Sequence, residues 1–213
     1  QLTLNGSTLE ISLQNDGEPL KTLDLAGLPI TSFATASNVT NNNPGDFAND
    51  DFVFGSSQLD DDTDANHDNR FFYDKSKGAF RAGSVNNDTW NDANRGSYSF
   101  AGGFNSRAEG DYAVAFGQSG TSSGGHSNSW GYANTASGTM STAFGRINTA
   151  EGYGAVSWGY GTNATNQYAT TWGRQTDATG QLSTAWGQAS LASGNHSTAW
   201  GIYTTASGMG STA

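Results

Sequence analysis

The chain has no cysteine, which excludes disulfides and thiolate metal sites. That absence leaves the compartment open. Basic residues are also scarce: nine Lys and Arg stand against nineteen Asp and Glu, for a net charge of -10 at pH 7. So acidic a chain is poorly suited to nucleic acid, whose binding rests on cationic contacts to phosphates, or to anionic lipid. No apolar run is long enough to span a bilayer. Hydrophobic residues make up only 34% of the chain, thin material for an ordinary globular core and a level that would also fit disorder. The chain opens on Gln1 with no Met or signal peptide before it and stops in mid-repeat, so it is expected to be a segment of a longer protein.

What the chain has instead is glycine in register. Gly103, Gly117, Gly131, Gly145, Gly159, Gly173, Gly187 and Gly201 are each 14 residues from the next. From the second onward each follows an aromatic: Phe116, Trp130, Phe144, Trp158, Trp172, Trp186 and Trp200. Five of the six tryptophans thus share one position of one repeat, whose unit reads roughly A-x-G-x-x-S-T-A-W-G-x-x-x-x. A flexible Gly/Ser linker has no reason to count, whereas an unslipping period marks a stacked repeat architecture.

Before the repeat lie three shorter regions. Residues 1–30 read as a β-hairpin or neck: Leu9, Ile11 and Leu13 alternate with polar residues, Leu23 and Leu25 do likewise, and Asn15-Asp16-Gly17 supplies turn chemistry. Residues 31–50 read as a polar linker punctuated by Pro44-Gly45. Residues 51–93 read as a β connector, with candidate strands at Phe52–Phe54, Arg70–Tyr73 and Ala79–Arg81, the last two joined across Lys75–Gly78. Inside it, Asp60, Asp62, Asp64 and Asp68 echo the first positions of a calcium loop. Ala65 stands where an EF-hand needs Gly and Phe71 where it needs Glu, so a solvated acidic loop is the expected reading and no cofactor is expected, calcium being the one candidate.

From residue 94 to 213 the side chains prescribe an assembly. Fourteen residues make one small coil of two short strands and two tight turns, with the eight in-phase glycines easing the turns. Along Ser197–Gly201, strand alternation puts Ser, Ala and Gly on one face and Thr and Trp on the other. Only the small faces match across so flat a coil, so the aromatics must point out. Stacking then forms an outward ladder of Phe116, Trp130, Phe144, Trp158, Trp172, Trp186 and Trp200. Beside it runs a mostly β-branched column containing Val114, Thr142, Val156, Thr170, Thr184 and Thr198. A contiguous aromatic ladder of that length is more than a soluble monomer usually exposes. Burying each ring is worth about 2 kcal/mol. Identical chains with one such strip are expected to close into a ring, with these thirteen residues as the oligomer interface. The expected fold is all-β: a thin β-solenoid of 14-residue coils that becomes stable as an oligomer.

Repeats such as Ala192-Ser-Gly-Asn-His-Ser-Thr-Ala-Trp-Gly201 resemble the head repeats of YadA-like trimeric autotransporter adhesins. The resemblance covers residues 94–213, and it departs from the family in placing Trp or Phe where an aliphatic residue is usual. It implies a left-handed parallel β-roll, a homotrimer, an extracellular or bacterial cell-surface location, and attachment to a host-surface glycan or protein. Residues 51–55 and 70–83 are similar to a connector found before such heads, both in bacteria and in bacteriophage tail fibres. The alternative expectation is therefore the receptor-binding tail fibre of a phage or a phage-like injection system.

An enzyme is not expected. His67, His126 and His196 read as surface residues, far apart and in different repeat positions, with no partner at metal-ligand spacing. Serines and threonines abound without a nucleophile elbow or a His/Asp pairing. The short sequons at Asn163 and Asn195 carry no weight. An ice- or sugar-matching lattice on the outer Thr and Ser positions is interrupted by Arg107, Glu109, Glu151 and Asp177.

Overall fold

A computed structural model describes the strand residues 2–5, 8–11, 21–24 and 52–55, together with residues 69–86 and 88–213. The chain forms two compact units, residues 1–39 and 40–213. In the first unit, β1 (Leu2–Asn5), β2 (Thr8–Ile11) and β3 (Lys21–Asp24) make an antiparallel sheet in that order. The hairpin read from the leucine alternation is the β2–β3 pair, with Leu9 opposite Leu23. A further strand, β1, pairs with β2 from the other side. The Asn15–Gly17 turn, the polar linker of 31–50 and the acidic residues Asp60, Asp62, Asp64 and Asp68 lie outside the described residues.

The second unit begins as an antiparallel meander of β4 (Phe52–Gly55), β5 (Asn69–Asp74) and β6 (Ala79–Ser84). The β5–β6 turn falls on residues 75–78 as expected, with Gly78 at φ +62°. From β6 the sheet changes character. Phe100–Phe104 adds to β6 in parallel, and seven more five-residue strands follow, each on the one before, to Thr198–Ile202. A second sheet is built from eight two-residue strands, from Arg107–Ala108 to Thr205–Ala206. Pairing within the coils is strictly 14 residues out of phase: Trp158 lies opposite Trp172, and Gly159 opposite Gly173.

The connector is therefore continuous with the coils, and the 14-residue count hides this. Gly83 pairs with Gly103, 20 residues on, because two 3₁₀ turns, Asp88–Trp90 and Asp92–Asn94, occupy the extra length.

Small side chains fill the space between the two sheets. Ala101, Ala115, Ser129, Ala143, Ser157, Thr171, Ala185 and Ala199 from the long strands, with Ala108, Ser122, Ala136 and their equivalents from the short ones, are buried. Strand alternation sends every second residue inward, and two walls this close leave room for little beyond a methyl or hydroxyl. Buried amides tie successive coils together. Asn134 Nδ2 donates to the carbonyls of Trp130 and Gly145, while its Oδ1 accepts from the Asn148 backbone at 2.9 Å. Asn148 repeats the pattern one coil on, donating to Phe144 and Gly159 and accepting from Thr162. A buried amide that uses both ends in this way leaves no unpaired polar group.

The in-phase glycines, expected at turns, occupy the penultimate residue of each long strand instead. Their φ angles run from +107° to +132°, a region side chains seldom enter. A Cβ on Gly145 would also lie 2.2 Å from the carbonyl oxygen of Gly159 in the next coil. Stacking at this position requires glycine twice over: for its torsion and for its lack of a side chain.

A different core closes the connector end. Phe72, Val85 and Trp90 form a buried cluster, and the Trp90 indole N–H donates to the Ser106 carbonyl at 2.8 Å. Arg81 faces the interior at the level where Ala101 stands in the next strand. Its guanidinium donates to the carbonyls of Phe80, Ser99 and Ala108 and to the Ser99 hydroxyl. Burial pushes its pKa down to about 10, with the charge of Arg95 adding to the fall and Asp74 opposing it. Arg81 thus stays cationic at neutral pH and plugs the open end of the coil interior. The buried Asp74 is paired with Arg95 at 3.0 Å and accepts from Ser76 and the Lys77 backbone. Terminal caps of this kind are what a stacked repeat needs at an end.

Candidate interaction face on the long-strand sheet

The outer face of the long-strand sheet carries the residues singled out from the repeat. Phe116, Trp130, Phe144, Trp158, Trp172, Trp186 and Trp200 form one column in direct register, each 44–58% exposed. Alternation alone puts them there: the preceding residue of each strand is fully buried and the ring follows it outward. Val114, Thr142, Thr170, Thr184 and Thr198 are half-buried beside them, and Val156 is exposed.

The rings are not evenly stacked. Trp158 lies on Trp172 at 5.5 Å and 13°, and Trp186 on Trp200 at 5.6 Å and 15°. Phe144 instead meets Trp158 edge-on, at 78°. A cleft of about 260 Å³ opens among Thr142, Phe144, Val156 and Trp158. Another of about 270 Å³ separates Trp172 from Trp186, floored by Thr170 and Thr184. The face is therefore a strip of aromatic ridges with apolar slots between them, the relief that packing against another apolar surface requires.

At the connector end the ladder changes column. The aromatic position of the first coil is held by Gly102, and a Cβ there would strike the Phe116 ring at 2.9 Å. Phe116 leans across this gap to Phe100, which stacks on Phe80 at 5.0 Å and 8°. Phe80 in turn meets Phe71 edge-on. The strip is thus longer than the repeat announced, since Phe71, Phe80 and Phe100 belong to it.

Two further columns escaped the sequence reading. Each coil contains two non-extended positions seven residues apart with φ near +55°. One is held mostly by small or polar residues (Asn105, Ser119, Ala133, Gln175, Ala189), the other by large ones. Tyr98, Tyr112, His126, Met140, Tyr168, Leu182 and His196 belong to the second, all exposed, with Gly154 and Gly210 at its two remaining positions. Tyr98 stacks on Tyr112, and Tyr112 on His126 at 4.7 Å. His126 and His196 consequently share one repeat position, five coils apart, which corrects their assignment to different positions. Among the described residues no cluster of His or acidic side chains could hold a metal ion. The other missed column, Tyr132, Arg146, Tyr160 and Arg174, ends the long strands. Neither column repeats one residue type, so the period alone does not announce them.

Among the described residues no helix is long and apolar enough to cross a membrane. No curated protein matches the chain. The YadA head domain repeat matches residues 95–119, 136–162, 178–201 and 192–213. The intervening residues 120–135 and 163–177 continue the same coils in unbroken register. The coil stack is a β-solenoid of about eight turns, consistent with a YadA-like head.

Proposed function

We propose that this chain is the head segment of a homotrimeric, adhesin-type surface fibre, in which the aromatic strip of each subunit is buried against its neighbours and the outer surface meets a host cell or matrix. The observation that carries the reading is the strip itself: seven rings in register, each about half exposed, on a chain whose interior has no room for them. Because each ring is already about half buried, covering the strip adds about 1 kcal/mol per ring, about 7 kcal/mol per subunit, which is of the order of the cost of bringing subunits together. The match to YadA head repeats supports the same reading, because that family is trimeric in general and adhesive rather than catalytic.

Sedimentation equilibrium of the full chain is expected to return three times the monomer mass. The double substitution Trp158→Ser/Trp172→Ser is expected to dissociate the trimer and lower its thermal midpoint. A folded monomer in the unmodified chain would sink the reading. An intact trimer in the double variant would show that these two rings face solvent.

A further inference from the structure

The coil stack holds four arginines, and they fall into two kinds. Arg95 pairs with Asp74 and Asp92, and Arg107 with Glu109. Arg146 and Arg174 are exposed and form no ion pair or side-chain hydrogen bond among the described residues. Yet acidic residues outnumber basic ones by about two to one across the chain. The two free guanidiniums stand at the same repeat position, in the column Tyr132, Arg146, Tyr160, Arg174. Arg146 is held between two phenol rings, its guanidinium carbon 5.4 Å from the centroid of Tyr132 and 5.4 Å from that of Tyr160. That sandwich fixes the side chain while leaving its donors unused.

We propose that this Tyr-Arg-Tyr-Arg ladder binds an acidic oligosaccharide lying along the coil axis. Guanidinium forks match carboxylates in bidentate geometry. Successive strand positions are about 4.8 Å apart, so Arg146 and Arg174 stand about 10 Å apart along the axis. Charged groups on alternate units of an extended chain would meet the arginines, and the intervening hydroxyls would meet Tyr132 and Tyr160. The chemistry favours a glycan over a membrane or nucleic acid. Two cations on a chain of net charge -10 cannot supply the polycationic surface those partners need. Nor does the ladder compete with the aromatic strip. Burying an unpaired guanidinium in an apolar interface is costly, so these arginines mark a rim that stays wet. The proposal goes beyond the assembly reading, which the aromatic column carries alone.

The test titrates the full chain with an octamer of galacturonate, its methyl-esterified counterpart and phosphatidylserine vesicles. The expected result is saturable binding of the acid octamer that weakens with added salt. It should fall at least about tenfold for the methyl ester and for Arg146→Gln/Arg174→Gln. Sedimented mass and circular dichroism of the variant should match the unmodified chain. Absent binding of the acid octamer, equal binding by the variant, or arginine-dependent binding of the vesicles instead would each overturn the proposal. So would loss of oligomer mass in the variant, which would make the arginines subunit contacts.

Discussion

Between the connector end of the second unit and the coils that follow it, the placement of a large ring reverses. Trp90 is fully buried with Phe72 and Val85, its N–H satisfied by Ser106. The other five tryptophans stand outside a core of Ala, Ser and Thr. The difference is one of available depth. The connector crosses its own strands with two 3₁₀ turns and makes a pocket wide enough for an indole, whereas a 14-residue coil brings its walls too close together. Stability accordingly has two sources. The cap draws on apolar burial within one chain. The coils draw on backbone ladders and buried amides, and leave their large rings about half exposed.

Removing the same ring from each region should separate these sources. Trp90→Ala is expected to cost about 3–5 kcal/mol, as for a buried large aromatic, and it also orphans the Ser106 carbonyl. Trp158→Ala, studied in urea at concentrations where chains are dissociated, is expected to cost less than about 1 kcal/mol, because its ring is half exposed. Equal losses would mean that the outward column packs within the monomer as tightly as the cap does.

Glycine offers the next comparison, inside the coils. Gly145→Ala combines a forbidden torsion with a carbonyl 2.2 Å from the new methyl, and is expected to cost about 3 kcal/mol or more. At Gly201, φ is also positive, but the nearest atom a Cβ meets is Thr204 Cγ2 at 3.5 Å. Gly201→Ala is therefore expected to cost only the torsional share, about 1–2 kcal/mol. Thermal midpoints of the two variants measure the difference, and coincident midpoints would show that close backbone approach is not what selects glycine there.

How far these features could be read in advance follows from the same geometry. The aromatic ladder was legible because a 14-residue period and a two-residue alternation both fall on Trp158 and its equivalents. The period is lost where six extra residues separate Gly83 from Gly103, so the connector read as a separate region and Phe80 and Phe100 were missed as ladder members. Arg81 gave no sign of burial, since a charged residue in an alternating strand is expected on the wet face. Only the open end of the coil, with the Ser99 and Ala108 carbonyls facing it, accounts for its place. The column from Tyr98 to His196 was hidden for another reason. Its residues adopt positive φ, which Asn or Gly would announce and Tyr, Leu or His do not.

The smallest expected effect contrasts two carboxylates at the cap, Asp74 buried and Asp92 largely exposed. Asp92 accepts from Arg95 and lies within ion-pair distance of Lys77. The hydrogen bond from Arg95, then that from Lys77, holds its pKa below the usual carboxylate value of 3.8. A carboxylate whose folded pKa is depressed stabilises the fold above its unfolded pKa and loses that contribution as pH falls through the folded value. Because the side chain is 70% exposed, solvent screening limits the contribution to about 0.5 kcal/mol. Asp92→Asn is thus expected to lower the thermal midpoint slightly at neutral pH and to converge with the unmodified chain as pH falls through the depressed folded value. A gap that persists undiminished at low pH would assign the loss to packing of the 3₁₀ turn. The charge of Asp92 would then contribute nothing measurable, leaving the buried Asp74–Arg95 pair as the ion pair that matters at this end of the stack.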